Sequence, residues 1–153
     1  MSRKIAVIPV IIAVLALAYL PLIYYAQGAR AHVSVKLERA VKISVEPPAY
    51  VILIPKSSMP PPGSSKEFFS NTGTIVIASN YAPLKVKSSA EVPKPLRGKF
   101  FMYVGGKRYD PNGWSLTKDR PGVIIYPLRF SVVVDWSLPA GDYEVNVVFT
   151  VLP

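Results

Sequence analysis

An alternating stretch near the start of the chain, VSVKLERAVKISV at residues 33–45, carries the clearest structural signal. Apolar side chains occupy its odd positions, namely Val33, Val35, Leu37, Val41, Ile43 and Val45, and only Arg39 breaks the rule. Successive side chains of a strand point to opposite faces, so a period of two predicts a β-strand with one buried face. We therefore predict a strand over residues 33–45 that ends before Pro47-Pro48.

The rest of the chain repeats this pattern of short apolar runs and close turns. Further strands are predicted at 49–54, 74–78, 84–88, 99–104, 107–109, 123–126, 129–136 and 143–152. The run 49–54 is expected to be buried on both faces, and Lys85 and Lys87 are expected to protect an edge strand. Such spacing, with no helix predicted beyond residue 31, predicts an all-β domain: an antiparallel β-sandwich, jelly-roll-like.

A hydrophobic segment precedes the alternating stretch. A short cationic flank, Arg3-Lys4, is followed by an apolar run from Ile5 to Ala26. This pattern predicts a signal peptide or membrane anchor over residues 1–31, with one domain, residues 32–153, outside the membrane at the cell surface or in the medium. Ala29 and Ala31 form the small-x-small pattern that signal peptidases cut. Cleavage there, permanent anchoring and a pilin-type cut near Lys4 all remain open.

The composition limits the chemistry and the partners. The chain has no cysteine, which excludes disulfides and thiolate catalysis. From His32 onward it has 15 basic and 9 acidic residues, a net charge of +6. The basic residues are scattered rather than clustered between aromatic ones. This pattern favours anionic surfaces or polysaccharide as partners over specific recognition of nucleic acid.

No catalytic, cofactor or metal site is predicted, and the chain is not expected to be an enzyme. The only histidine, His32, excludes a His-dependent triad and a multi-His metal site within one chain. Asp110 and Asn112 are assigned to a turn rather than to a calcium loop. Four aromatic residues are assigned to core packing rather than to a carbohydrate platform: Tyr103, Tyr109, Trp114 and Trp136.

The position of the alternating stretch next to the predicted cleavage site suggests two interpretations. In one, residues 33–45 are the first strand of their own domain. In the other, they are a polymerisation donor strand: Val33, Val35 and Leu37 complete the sheet of a neighbouring copy. The other three apolar residues, Val41, Ile43 and Val45, return to the home domain beyond the Arg39-Ala40 break. Such a head-to-tail contact is heterologous and builds an open filament.

The chain resembles the TasA/camelysin-type biofilm fibre proteins and the similar archaeal bundling-pilus subunits. The resemblance lies in an apolar signal followed directly by an alternating strand, in NTGTIVI at 71–77, and in LPAGDYEV at 138–145. It implies a jelly-roll subunit with an N-terminal donor strand, whose homopolymers bundle in the extracellular matrix. The predicted export segment implies transient contact with the membrane and its secretion machinery. Camelysin is described as a metalloprotease, but no metal-binding cluster here supports that activity.

The alternative is a membrane-anchored extracytoplasmic β-sandwich. It would act as an accessory subunit of an envelope complex or as a surface-binding module, with residues 5–26 retained as the anchor.

Overall fold

The computed structural model describes residues 30–153. Residues 1–29 of the predicted signal or anchor, Ala29 among them, lie outside the described residues; Ala31 is described and is exposed. The chain divides into two units, Met1–Leu37 and Glu38–Pro153, and only residues 30–37 of the first are described. Within the described range, no helix is both long and apolar enough to span a bilayer.

The second unit is all-β, and every strand pair in it is antiparallel, as predicted. Its nine strands are β1 (Val41–Glu46), β2 (Lys66–Phe69), β3 (Gly73–Ser79), β4 (Leu84–Glu91), β5 (Phe100–Val104), β6 (Lys107–Tyr109), β7 (Ser115–Lys118), β8 (Gly122–Val134) and β9 (Asn146–Leu152). Two single 3₁₀ turns, Lys56–Ser58 and Lys94–Leu96, are the only helical elements among the described residues.

The larger sheet is organised around the long strand β8. Its order is β1-β3-β8-β5-β6, and β2 also pairs with β8. The first half of β8 pairs with β3 and its last four residues pair with β2. Strand β8 therefore holds both β3 and β2 in the same sheet. In register, Ile77 lies between Ile43 of β1 and Ile124 of β8.

The smaller sheet has the order β7-β4-β9. Strand β4 alternates as its sequence predicts: Leu84, Val86 and Ser88 are buried, whereas Lys85 and Lys87 are exposed. However, β4 is the central strand of this sheet, so the two lysines cover its outer face and do not protect an edge. Edge position depends on which strands pair, and the alternation of one strand does not contain that information.

Side chains from both sheets meet in one hydrophobic cluster. Its buried members are Ile75, Ile77, Leu84, Val86, Leu96, Phe100, Met102, Val104, Trp114, Leu128, Phe130, Val132 and Val134. Phe100 stacks on Phe130 with ring centroids 5.7 Å apart, and Trp114 meets Phe149 edge-on at 5.6 Å. Such aromatic contacts add to the stabilisation that burial of apolar area already supplies.

Two predicted strands differ from the structure near the N-terminus. The strand expected over 33–45 begins only at Val41, because residues 30–40 form neither helix nor strand. The segment 49–54 also forms no strand and is not buried on both faces. Tyr50, Ile52 and Ile54 pack partly buried against the core, whereas Val51 and Leu53 are exposed. Of the apolar row predicted over 33–45, only Ile43 and Val45 pack against the core, and the run 49–54 partly buries one face rather than the two predicted.

The break expected at Pro127 is absent, since β8 runs through it without interruption. On the β5 side, pairing ends at Leu128 opposite Val104, and the Pro127 carbonyl accepts a hydrogen bond from the turn residue Gly105 at 3.0 Å. The missing N–H of Pro127 therefore faces a turn, where no ladder bond is lost.

Candidate functional site

Three large aliphatic side chains of the N-terminal segment are exposed to solvent. Val33, Val35 and Leu37 are 75%, 82% and 79% exposed, respectively. Residues of these types are usually buried, and three of them at alternate positions form one apolar row. We call residues 33–37 the N-terminal segment. Its row has the spacing that one face of a β-strand requires.

The boundary between this segment and the folded unit is fixed by Asn80. The Asn80 Nδ2 donates to the Glu38 carbonyl at 2.7 Å, and its Oδ1 accepts from the Ala40 amide at 2.7 Å. The Asn80 amide in turn donates to the Ala40 carbonyl at 3.2 Å. Beside this clamp, the Arg39 guanidinium lies over the Tyr81 ring at 5.5 Å. Residues 38–40 are therefore held by the turn that follows β3.

The structure separates the six predicted donor residues into two groups. Val41, Ile43 and Val45 lie in β1, which pairs with β3 of the same chain, opposite Ser79, Ile77 and Ile75 in turn. Ile43 and Val45 also pack against the core. The three residues before the Arg39-Ala40 break, by contrast, are exposed and belong to no strand.

The far end of β1 is fixed by a close backbone approach. Gly73 begins β3 opposite this end, and a Cβ there would meet the Glu46 carbonyl, the Tyr50 hydroxyl and Pro47 Cδ, the last at 2.7 Å. The Tyr50 ring packs edge-on against Phe130 at 4.9 Å. Only glycine allows the chain to pass so closely.

Strand β9 differs from the other edge strands in composition. Five strands have one edge without a strand partner among residues 30–153: β1, β2, β6, β7 and β9. All except β9 contain at least one charged residue, whereas β9 reads NVVFTVL. Charged residues and prolines protect edges from pairing with other chains. Among residues 30–153, the free β9 edge therefore has neither a strand partner nor a charged or proline residue of its own.

The inward row of β9 is also incompletely covered. Val147, Phe149 and Val151 pack against the core but are only half-buried. Of their partners on β4, Ser88 and Val86 are buried and Ala90 is partly buried. On the outer face, Val148 is exposed. Covering the inward row further requires apolar side chains that lie beside β9.

Three polar residues of the loops have structural roles: Asp110, Asn112 and Asp135. The Asp110 carboxylate accepts a hydrogen bond from the Asn112 backbone amide at 2.8 Å. The Asn112 side chain accepts a hydrogen bond from the Ala90 amide and donates one to the Ala90 carbonyl. Hydrogen bonds from Ser137 and from Lys99 lower the pKa of Asp135 to about 2. Among residues 30–153, no three side chains of the His, Cys, Asp and Glu types come together to hold a metal ion.

The four aromatic residues of the sequence analysis are not brought together into one platform. Trp114 is buried in the core and Tyr109 packs against it. Tyr103 donates a hydrogen bond to Glu67 at 2.8 Å, and the exposed Trp136 donates its indole N–H to the Pro60 carbonyl at 2.8 Å. The assignment to core packing is confirmed for Trp114 and Tyr109.

Sequence reasoning did not identify the β9 edge. The only signal for it was the absence of charge and proline from residues 146–152, which is informative only once β9 is known to lie at an edge. Comparison of the chain with models of protein families, with curated proteins and with solved structures finds no match.

Proposed function

We propose that this protein is the structural subunit of an extracellular filament, and that its copies join by donor-strand complementation. The N-terminal segment of one copy would pair along β9 of the next. The observation that carries the proposal is the row of exposed side chains at Val33, Val35 and Leu37, directly before a folded unit anchored at residue 38.

The open β9 edge supports the acceptor half of this proposal. A strand that adds to a sheet edge forms main-chain hydrogen bonds, and its alternate side chains fill the sheet's inward face. Val33, Val35 and Leu37 supply such a row, and β9 offers an uncharged edge with a half-buried inward row. Because each copy carries both halves, the contact continues from copy to copy and yields an open filament.

Export and fold details belong to the same proposal. The two sheets would form a jelly-roll-like β-sandwich, as in the TasA/camelysin-type and archaeal bundling-pilus proteins that the sequence resembles. Residues 1–31 would direct export through the secretion machinery, and cleavage after Ala31 would release the segment. The subunit would have no enzymatic activity.

The rival proposal is a membrane-anchored domain that serves as an accessory subunit or surface-binding module. It is supported by the apolar run 5–26, because a helix needs roughly 20 apolar residues to span a bilayer. Sequencing the N-terminus of the exported protein separates the two. A start near His32 supports the filament, whereas an intact residue 5–26 segment supports the anchor.

Paired substitutions on the two faces of the N-terminal segment test polymerisation. Val35→Asp places a charge in the apolar row, whereas Ser34→Asp places the same charge on the opposite face. We expect V35D to abolish filaments in negative-stain electron microscopy and to leave a folded monomer, and S34D to retain filaments. Filaments formed by V35D, or equal loss in both variants, would contradict the proposal.

Crosslinking tests the acceptor edge, because the chain has no cysteine of its own. Ser34→Cys is combined with a cysteine at Asn146, Val148 or Thr150 of β9. Facing Cβ atoms of paired strands lie about 4.5–5.5 Å apart, close to what a disulfide needs. We expect one pair to give a ladder of disulfide-linked oligomers, and Ser34→Cys with Lys42→Cys on β1 to give none. A ladder only in the β1 pair would move the acceptor to β1.

A further inference from the structure

The outward face of the larger sheet carries a group of aromatic and arginine side chains, together with one glutamate and one serine. They come from four strands: Glu67 and Phe69 of β2, Arg129 and Ser131 of β8, Phe101 and Tyr103 of β5, and Arg108 of β6. Register places them in two rows. Phe69, Ser131 and Phe101 form one row, and Arg129, Tyr103 and Arg108 form the next. We call this set the arginine face.

The two guanidinium groups are held over aromatic rings. Arg129 Cζ lies 4.2 Å from the Phe69 ring centroid and 5.0 Å from that of Tyr103. Arg108 Cζ lies 4.3 Å from the centroid of Phe101. Contact with a ring limits the orientations of the planar guanidinium, so little side-chain entropy is lost when its N–H groups bind an anion.

The one carboxylate of the group is already used by its neighbours. Glu67 Oε1 accepts hydrogen bonds from Tyr103 at 2.8 Å and from Ser131 at 2.6 Å. Burial opposes ionisation of Glu67, but these hydrogen bonds and the nearby arginines outweigh it and lower its pKa. Within residues 30–153 the only ion pair is Lys99–Asp135, so neither arginine has a carboxylate within ion-pair distance.

An exposed apolar strip continues the arginine face along β8. Val123 and Ile125 are 63% and 61% exposed, although large β-branched residues are usually buried. Their partners on β3 are Ala78 and Val76, so the strip is two strands wide. The outward surface of this sheet thus combines two ring-supported cations with an exposed apolar strip.

We propose that this surface binds an acidic polysaccharide, with Arg108 and Arg129 pairing with uronate carboxylates and the Val123–Ile125 strip contacting the apolar faces of sugar rings. A carboxylate matches the two-pronged donor geometry of arginine. Single-stranded nucleic acid fits less well, because its bases stack on open ring faces and here the guanidiniums lie over the rings. This activity does not depend on polymerisation.

The test measures binding of the full chain to immobilised polygalacturonate, with neutral dextran as the blank. The double variant Arg108→Gln/Arg129→Gln is compared with Lys85→Gln/Lys87→Gln, which removes the same charge from the smaller sheet. We expect the arginine variant to weaken binding at least about tenfold, since charged hydrogen bonds are lost. We expect the lysine variant to weaken it less than about threefold. Equal losses in the two variants would overturn the proposal.

A charge-conserving variant guards against unfolding and against a purely electrostatic effect. Arg108→Lys/Arg129→Lys keeps the charge but not the planar donors, and its fold is checked by thermal unfolding. We expect it also to weaken binding several-fold, and undiminished binding would overturn the proposal. Duplex DNA and vesicles rich in anionic lipid serve as competitors. Polygalacturonate should compete best at equal charge, and better competition by DNA or vesicles would reassign the surface to that partner.

Discussion

The N-terminal segment and strand β1 have the same alternating pattern and different environments. In β1, Ile43 lies opposite Ile77 and packs against the core. In the segment, Val35 has the same position in the pattern and is 82% exposed. Period-two alternation therefore predicts an apolar face. It does not specify whether that face is buried within the same chain.

The Asn80 clamp lies at the point where the two regions meet. Before it, residues 30–37 are exposed and belong to no strand; after it, every residue of β1 has a partner on β3. Substitutions on either side of residue 38 should therefore act on different properties. Those in β1 should change the stability of the folded unit, and those in the segment should change the proposed assembly instead.

The largest effect on stability is expected from Gly73→Ala, which disturbs the close backbone approach at the far end of β1. The new Cβ would overlap the Glu46 carbonyl and the Tyr50 hydroxyl, so β1 must shift away from β3. We expect a loss of about 3 kcal/mol in the free energy of unfolding, measured by denaturant titration. Gly113→Ala is the control, because its nearest contacts lie at 3.5 Å, and it should cost less than about 1 kcal/mol. Similar losses in both variants would contradict this account.

A direct comparison of the two regions uses Ile43→Ala and Val35→Ala. Truncation of a half-buried isoleucine removes apolar burial and leaves space in the core, so I43A should cost about 1–3 kcal/mol. V35A removes an exposed side chain and should change the stability of the monomer by less than about 0.5 kcal/mol. If V35A destabilised the monomer as much as I43A, the segment would already be covered within its own copy.

Asn80→Ala tests the boundary itself. It removes two side-chain hydrogen bonds, to Glu38 and from Ala40, and should cost about 1–2 kcal/mol in all. Native-state hydrogen exchange should show faster exchange at the Ala40 amide, with the centre of β3 unchanged. Asn146→Ala removes an exposed asparagine from β9 and serves as the control. Unchanged exchange at Ala40 in N80A would show that the clamp does not hold the boundary.

The smallest effect is expected from pH, and it should involve only the folded unit. Glu67 has a lowered pKa, so its ionised form stabilises the fold above the unfolded value of 4.5, and this contribution is lost as pH falls through the lower folded pKa. Residues 33–37 contain no acidic group. The melting temperature should fall between pH 6 and pH 3, and Glu67→Gln should reduce that fall. An identical pH profile in E67Q would contradict this assignment.

Much of the fold could be predicted because apolar alternation is a local signal. The strands expected at 74–78 and 107–109 correspond to β3 and β6 almost residue for residue. The strands β2 and β7 were missed, since four residues such as KEFF or SLTK are too short to establish a period. Their pairing with β8 and β4 depends on residues far away in sequence.

The candidate sites divide in the same way. The proposed donor row could be named from sequence, because it is itself a periodic pattern of apolar residues: Val33, Val35 and Leu37. The β9 edge and the arginine face could not, because both depend on which strands become neighbours. Glu67 lies 64 residues before Ser131 and 36 before Tyr103, and only the sheet brings the three together.

The clamp at Asn80 has a mechanical consequence for a filament held together as proposed. Tension carried by the N-terminal segment reaches the folded unit first at Glu38 and Ala40, where hydrogen bonds to Asn80 oppose it. Behind them, the six residue pairs between β1 and β3 bear the load next. Because β1 covers part of the core, the force that strips it would also set the tensile strength of the subunit.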